Sequence, residues 1–274
     1  MRLTITHTTE YSYDDPVQFS LQRLRLTPLS GPGQTVAEWS IAVDGATVEA
    51  GFADQFGNHT HLVSAQGAAH AISIAASGVV ETQDKAGVFG AHTGFVPLWL
   101  YLRETARTKP GKLTRELMKS LKGESELAQM HDLMGRLHEQ LRFEPGATTT
   151  ETTAEQALES GSGVCQDHAH IFVTVARLMN LPARYVSGYL MMDDQKDQAA
   201  THAWADVHLP GLGWVGFDAA NNICPDDRYV RLASGLCYAD AAPVSGMRIG
   251  KAGENLDVKI HVSCEGQSQT QSQS

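Results

Sequence analysis

Gly161-Ser162-Gly163-Val164-Cys165-Gln166-Asp167-His168-Ala169-His170, with the apolar run that follows to Met179, decides how the rest of the chain is read. Two glycines and a serine suit turns and caps better than helix interiors, and they lead straight into Cys165. Beyond Ala169, only Thr174 and Arg177 interrupt Ile171, Phe172, Val173, Val175, Ala176, Leu178 and Met179. A segment with no polar face predicts a helix buried on most sides, and Asn180 followed by Pro182 ends it. Cys165 then opens a buried helix, where unpaired backbone N–H groups and the helix dipole favour a thiolate over a thiol. A small buried hydrophobe is the plainer role for such a cysteine, so its partners must decide.

A chain of 274 residues with 42% hydrophobic and 19% charged residues can bury a full core in one large or two small domains. No apolar run approaches the roughly 20 residues of a membrane helix. Met1 to His7 lacks the apolar core of a signal peptide, which places the protein in the cytoplasm as an expectation. Cys165, Cys224, Cys237 and Cys264 form no CxxC pair and are expected to be free thiols in a reducing compartment. A formal charge of −10, with no basic patch, argues against a nucleic-acid partner.

Residues 1–83 read as short strands: Leu3–Tyr13, Ser20–Leu26, Thr35–Val43, His59–Ser64 and Ile72–Val80, with Asp14-Asp15-Pro16 breaking the first and Asp54–Asn58 forming a hairpin turn. This spacing predicts an antiparallel β-sandwich. Residues 84–110 form a crossing segment carrying an apolar patch at Pro97–Leu102. Residues 111–265 form a second unit, with an amphipathic helix at about 125–142 and a capped helix from Thr153 to Gly161. Strands follow at Ala183–Leu190, His202–Leu209 and Trp214–Asp218, with a solvated loop at Asp193–Gln198 between the first two. Residues 225–262 return to β character, and 266–274, drawn from a Gln-, Ser- and Thr-rich tail, are expected to be disordered. The fold class is therefore α+β.

Cysteine-dependent acyl transfer needs a nucleophile, a base and a group that orients the base. His202 opens one strand and Asp218 closes the next. A hairpin centred on Pro210 would set them opposite one another, whereas a Pro210–Gly213 loop would turn them to opposite faces. The sequence leaves both registers open.

The ordered blocks Gly163-Val164-Cys165-Gln166-Asp167, Pro182-Ala183-Arg184-Tyr185-Val186-Ser187-Gly188-Tyr189, His202-Ala203-Trp204 and Gly213 to Asn221 resemble bacterial transglutaminase-like proteins, a group often described as cysteine proteases. His7, Tyr11, Tyr13, Arg25-Leu26, Pro28 and Phe56-Gly57-Asn58 resemble the N-terminal β region of that group, and Ala239-Asp240, Pro243 and Gly246 its C-terminal part. The resemblance implies a papain-like core with the cysteine helix packed on an antiparallel sheet. It also implies a triad of Cys165 as nucleophile, His202 as base and then acid, and Asp218 as orienting carboxylate. The reaction implied is acyl transfer or hydrolysis at a peptide or protein amide, glutamine carboxamides included, through a thioester and with no cofactor. Three departures stand out: His168 where an aromatic is usual, Ala219-Ala220 for Pro-Thr, and Leu236-Cys237 for Arg-Asp.

Two other readings compete. Asp167, His168, His170 and His202 are zinc-type ligands, but residues 168 and 170 lie about 200° apart around a helix and cannot readily share a metal. His131 and His138 lack companion ligands and read as surface residues. A non-catalytic binding protein on the same fold is the second, against which stand all three triad residues. Trp204, Trp214 and Phe217 fit core packing better than a substrate groove.

Overall fold

The computed structural model describes residues 1–192, 196–250 and 253–264, and only the backbone of Ala68. Both the 266–274 tail and residues 193–195 of the solvated loop lie outside the described residues.

Alternation makes the first strand. Leu3, Ile5, His7 and Thr9 point inward and their neighbours outward, the period-two pattern of a half-buried strand. The strand spans Arg2–Thr27 and does not end at Asp14-Asp15-Pro16. Instead its pairing with His59–Thr82 slips between Ser12 and Val17 and then resumes. A bulge there accommodates the missing N–H of Pro16. His59–Ser64 and Ile72–Val80 likewise belong to one continuous strand, His59–Thr82. The sheet runs Gln34–Asp44, His59–Thr82, Arg2–Thr27, Glu254–Cys264, Asp197–Gln198, with Thr47–Ala53 on the second strand and Val244–Ile249 on the third. The C-terminal strands thus return to the N-terminal sheet. Its buried face, including Leu24, Ile72 and Ile74, meets Tyr189, Met191, Val230 and Leu232 of the second sheet. His7, pushed down to about 4 by burial, joins the two layers through Nδ1 to the Tyr189 hydroxyl at 3.0 Å.

The second sheet is ordered Tyr229–Gly235, Ala183–Leu190, His202–Leu209, Gly213–Phe217, Val88–Gly90, all antiparallel. Ala205, Val207, Val215 and Phe217 on it pack against Ile171, Phe172 and Val175 of the helix Cys165–Leu178. Phe172 stacks on Phe217 at 5.1 Å. Each large apolar side chain buried this way contributes roughly 1.5–3 kcal/mol before entropy is counted, so the helix is fixed on the sheet along its length. Glu126–Gln140 and Ala154–Ser160 cover it from outside, the latter with the expected Thr153–Gln156 capping box.

Both ends of the central helix have physical causes. Gly163 precedes it because an added Cβ would lie 2.7 Å from the Asp167 Cβ and 2.8 Å from its Oδ2. Asn180, at φ +62°, reverses the chain after Met179, the left-handed exit that Asn tolerates. Arg177 is no mere interruption. Buried among backbone carbonyls, it donates to Tyr101 O (2.9 Å), Ala183 O (2.8 Å) and Leu236 O (2.8 Å), and to Thr108 Oγ1 (2.9 Å). One cation thereby satisfies carbonyls of three separate segments.

Candidate active site

Cys165 is the first residue of the central helix, after Val164 as N-cap. Asp167 closes the cap, its Oδ2 accepting from the Val164 N–H at 2.8 Å and from Thr148 Oγ1 at 2.6 Å. The N–H groups of Cys165 and Gln166 precede the first helical hydrogen bond, made to Val164 O by His168 at 3.1 Å. Cys165 is half-buried and packs against an apolar cluster that includes Ala169, Tyr185, Ala203 and Ala233.

The hairpin after His202 adopts neither register considered from the sequence. Leu209 pairs with Gly213 and Ala205 with Phe217, so the loop is Pro210-Gly211-Leu212. This register sets Asp218 across from Trp204, two residues from His202 and on the same face, where diagonal neighbours still reach one another. His202 Nε2 lies 2.6 Å from Asp218 Oδ2. Cys165 is near enough to act on the same ring both as a charge and as a hydrogen-bond partner. The three residues singled out in the sequence therefore come together, from the start of a helix, the start of a strand and the residue just after the neighbouring strand.

Sequence reading missed how fully Asp218 is held. It is buried, and its Oδ2 accepts from the Asn221 side chain and the Tyr229 hydroxyl, each at 2.7 Å. Its Oδ1 accepts from the Ala220 and Asn221 N–H groups at 3.0 and 3.2 Å. The Ala219-Ala220 departure therefore preserves a turn that feeds backbone donors to the carboxylate. Desolvation alone would raise Asp218, but His202 and these donors hold it below the usual carboxylate range. For His202 desolvation acts downward, and it is overcome by Asp218 and Cys165, which lift the imidazole to about 10. Trp204 and Tyr229 flank the ring, with centroids at 6.3 and 5.9 Å.

This electrostatic balance gives a direct expectation. Followed by NMR, the His202 ring should keep its proton until about pH 10. In Asp218→Asn the charge that raises it is gone, so deprotonation should move to lower pH. Titration at the same pH in both proteins would show that Asp218 does not control the imidazole.

The remaining candidates have other partners. His168 donates from Nδ1 to Val164 O at 3.0 Å, and burial lowers its pKa, so it adds no positive charge beside the site at neutral pH. His170, held at about 3 chiefly by burial, accepts the Tyr238 N–H at 3.1 Å through Nε2. His138 bonds Ala220 O, and His131 packs edge-on against Phe217. Trp204, Trp214 and Phe217 are all buried. Leu236 accepts from Arg177, and Cys237 is buried at the start of the turn Tyr238–Ala241.

Comparison with known proteins matches this arrangement at two levels. Residues 3–81 match the model of the bacterial transglutaminase-like N-terminal region, and residues 112–219 that of the transglutaminase-like superfamily. An uncharacterized protein of Mycobacterium tuberculosis is 30% identical over 295 residues, covering 95% of this chain and 92% of the relative. Another, from Mycobacterium leprae, is 26% identical over 280 residues, covering 95% and 98%. The fold aligns with the crystal structure of a putative cysteine protease from Cytophaga hutchinsonii at a TM-score of 0.76, with 21% identity over 96% of this chain and 90% of that one. With its β-rich N-terminal sheet, its cysteine helix on an antiparallel sheet and its histidine and aspartate on neighbouring strands, the chain belongs to the transglutaminase-like superfamily.

Proposed function

We propose that the protein is a cysteine-dependent enzyme acting on the amide bond of a peptide or protein through a Cys165–His202–Asp218 triad. The observation that carries this reading is the chain of contacts from half-buried Cys165 through a proton-retaining imidazole to a carboxylate with five donors among the described residues. A helix start supplies partial positive charge at the sulfur, and the imidazole beside it stabilises a thiolate.

Cys165 Sγ attacks the amide carbon, and the carbonyl oxygen takes the electron pair. The Cys165 N–H at the helix start can donate to that oxygen. The tetrahedral adduct collapses as the C–N bond breaks, and His202 delivers its proton to the departing amine, leaving a thioester. Neutral His202 then removes a proton from water, giving hydrolysis, or from an incoming amine, giving transfer. Expulsion of Cys165 Sγ restores the pair.

Alkylation of Cys165 by iodoacetamide, followed by peptide mass spectrometry across pH, tests the reading. Rapid labelling is expected well below the roughly pH 8.5 at which a free thiol ionises, with clear slowing at low pH in His202→Ala. Cys224 is the internal control, because burial pushes its thiol up to about 11. Labelling of Cys165 no faster than that of Cys224, and indifferent to His202, would overturn the proposal.

A further inference from the structure

We propose that a cavity of about 260 Å³ between the two sheets and the segment after residue 82 binds a small organic anion, one joining a carboxylate or phosphate to an aromatic or apolar body. It shares Trp204 and Tyr229 with the surroundings of His202 and Asp218 but contains neither of those two, nor Cys165. Binding there would not depend on the thiol chemistry.

Three observations converge on an anion. First, charge in the wall is unbalanced. Arg184 Nε (2.9 Å) and Arg231 Nη1 (2.6 Å) both bond Oδ2 of the buried Asp206, and Arg231 Nη2 bonds Oδ1 at 3.1 Å. Two guanidinium groups against one carboxylate leave one positive charge over, and exposed Lys85 on the same wall adds another. The Asp226 carboxylate also lines the cavity, but Arg228 holds it at 2.7 Å.

Second, donors remain. The bonds from Arg231 to Asp206 use Nη1 and Nη2 and not Nε. The indole N–H of Trp204, a residue 1% exposed, has no acceptor among the described residues. A buried donor left unpaired costs about 1–3 kcal/mol, and a ligand oxygen would remove that cost.

Third, the walls suit a flat body. Phe89 and Trp204 face the Arg231 guanidinium at 4.4 and 5.6 Å from their ring centroids, and Tyr229 meets Trp204 edge-on at 5.4 Å. Fixed guanidinium groups recognise planar or tetrahedral oxyanions with directed donors, as a mobile lysine does not. A cavity just below the usual size range of ligand pockets fits a small molecule.

Isothermal titration of the full chain with benzoate, phenyl phosphate and neutral benzamide tests the site. At least one of the two anions should bind saturably at one site per chain, and the tighter one identifies the headgroup. Benzamide should not bind in the same range. Arg231→Met, which leaves the Arg184–Asp206 pair in place, should weaken the anion at least about tenfold. Thr93→Trp, which fills the cavity without touching the ion pairs, should abolish binding in a protein of unchanged circular dichroism. No saturable binding of either anion to the folded parent would overturn the proposal, as would unchanged affinity in Thr93→Trp.

Discussion

His202→Ala is expected to slow hydrolysis of a chromogenic peptide anilide by at least about 10³-fold, and that of the matching p-nitrophenyl ester by a much smaller factor. The difference follows from what each bond requires. Both substrates need a thiolate, and both lose the imidazole that stabilises it. Only the anilide needs a proton delivered to nitrogen as the C–N bond breaks, because nitrophenolate departs as a stable anion. The ratio of the two losses therefore isolates proton delivery from thiolate formation. In the proposed mechanism His202 delivers that proton: its ring is held by Asp218 at 2.6 Å and keeps its proton to about pH 10. Cys165→Ala should abolish hydrolysis of both substrates. Equal losses on ester and anilide in His202→Ala would confine the imidazole to ionising the sulfur.

Much of this site was legible in the sequence because its parts are local. A helix that must be buried on every side, a turn-forming entry and an Asn exit fix Cys165 at a helix start without reference to any distant residue. The Thr153 capping box and the amphipathic pattern near Leu133 are equally self-contained. What remained hidden depends on pairing. Asp218 meets His202 because the loop has three residues, and a change of one residue in that loop would have turned the carboxylate away. Tyr229 donates to Asp218 from a strand three places across the sheet, and no spacing in the sequence announces that. Arg177 looks like an interruption until the four segments around it are assembled. The first strand shows the opposite limit: Asp14-Asp15-Pro16 is a sound local stop signal, overridden because pairing to His59–Thr82 resumes beyond the bulge, while Glu254–Cys264 pairs before it and Val244–Ile249 after it.

Asp206 illustrates the same point energetically, and it carries the largest expected effect on stability. His202-Ala203-Trp204-Ala205-Asp206 alternates as though one face were wet, yet Asp206 is fully buried. Arg184 stands directly across from it in the register, Arg231 arrives from the outer strand, and Trp214 and Phe89 face the two guanidinium groups at 4.2 and 4.4 Å. Desolvation alone would raise the Asp206 carboxyl, but the two arginines hold it below its ordinary range, so it is charged wherever the protein is folded near neutral pH. Asp206→Ala leaves two neighbouring cations with no counter-charge in a partly dry setting, and the expected loss is about 3–5 kcal/mol in urea unfolding, or about 10 °C in Tm for a chain of this size. Replacing the whole cluster, Asp206→Leu with Arg184→Met and Arg231→Met, removes the charges together and should recover most of that loss. If Asp206→Ala costs less than about 1 kcal/mol, solvent already screens the cluster. If the triple replacement is as unstable as the single one, the ion pairs themselves, and not the uncompensated charge, hold the strands Ala183–Leu190, His202–Leu209 and Tyr229–Gly235 in register.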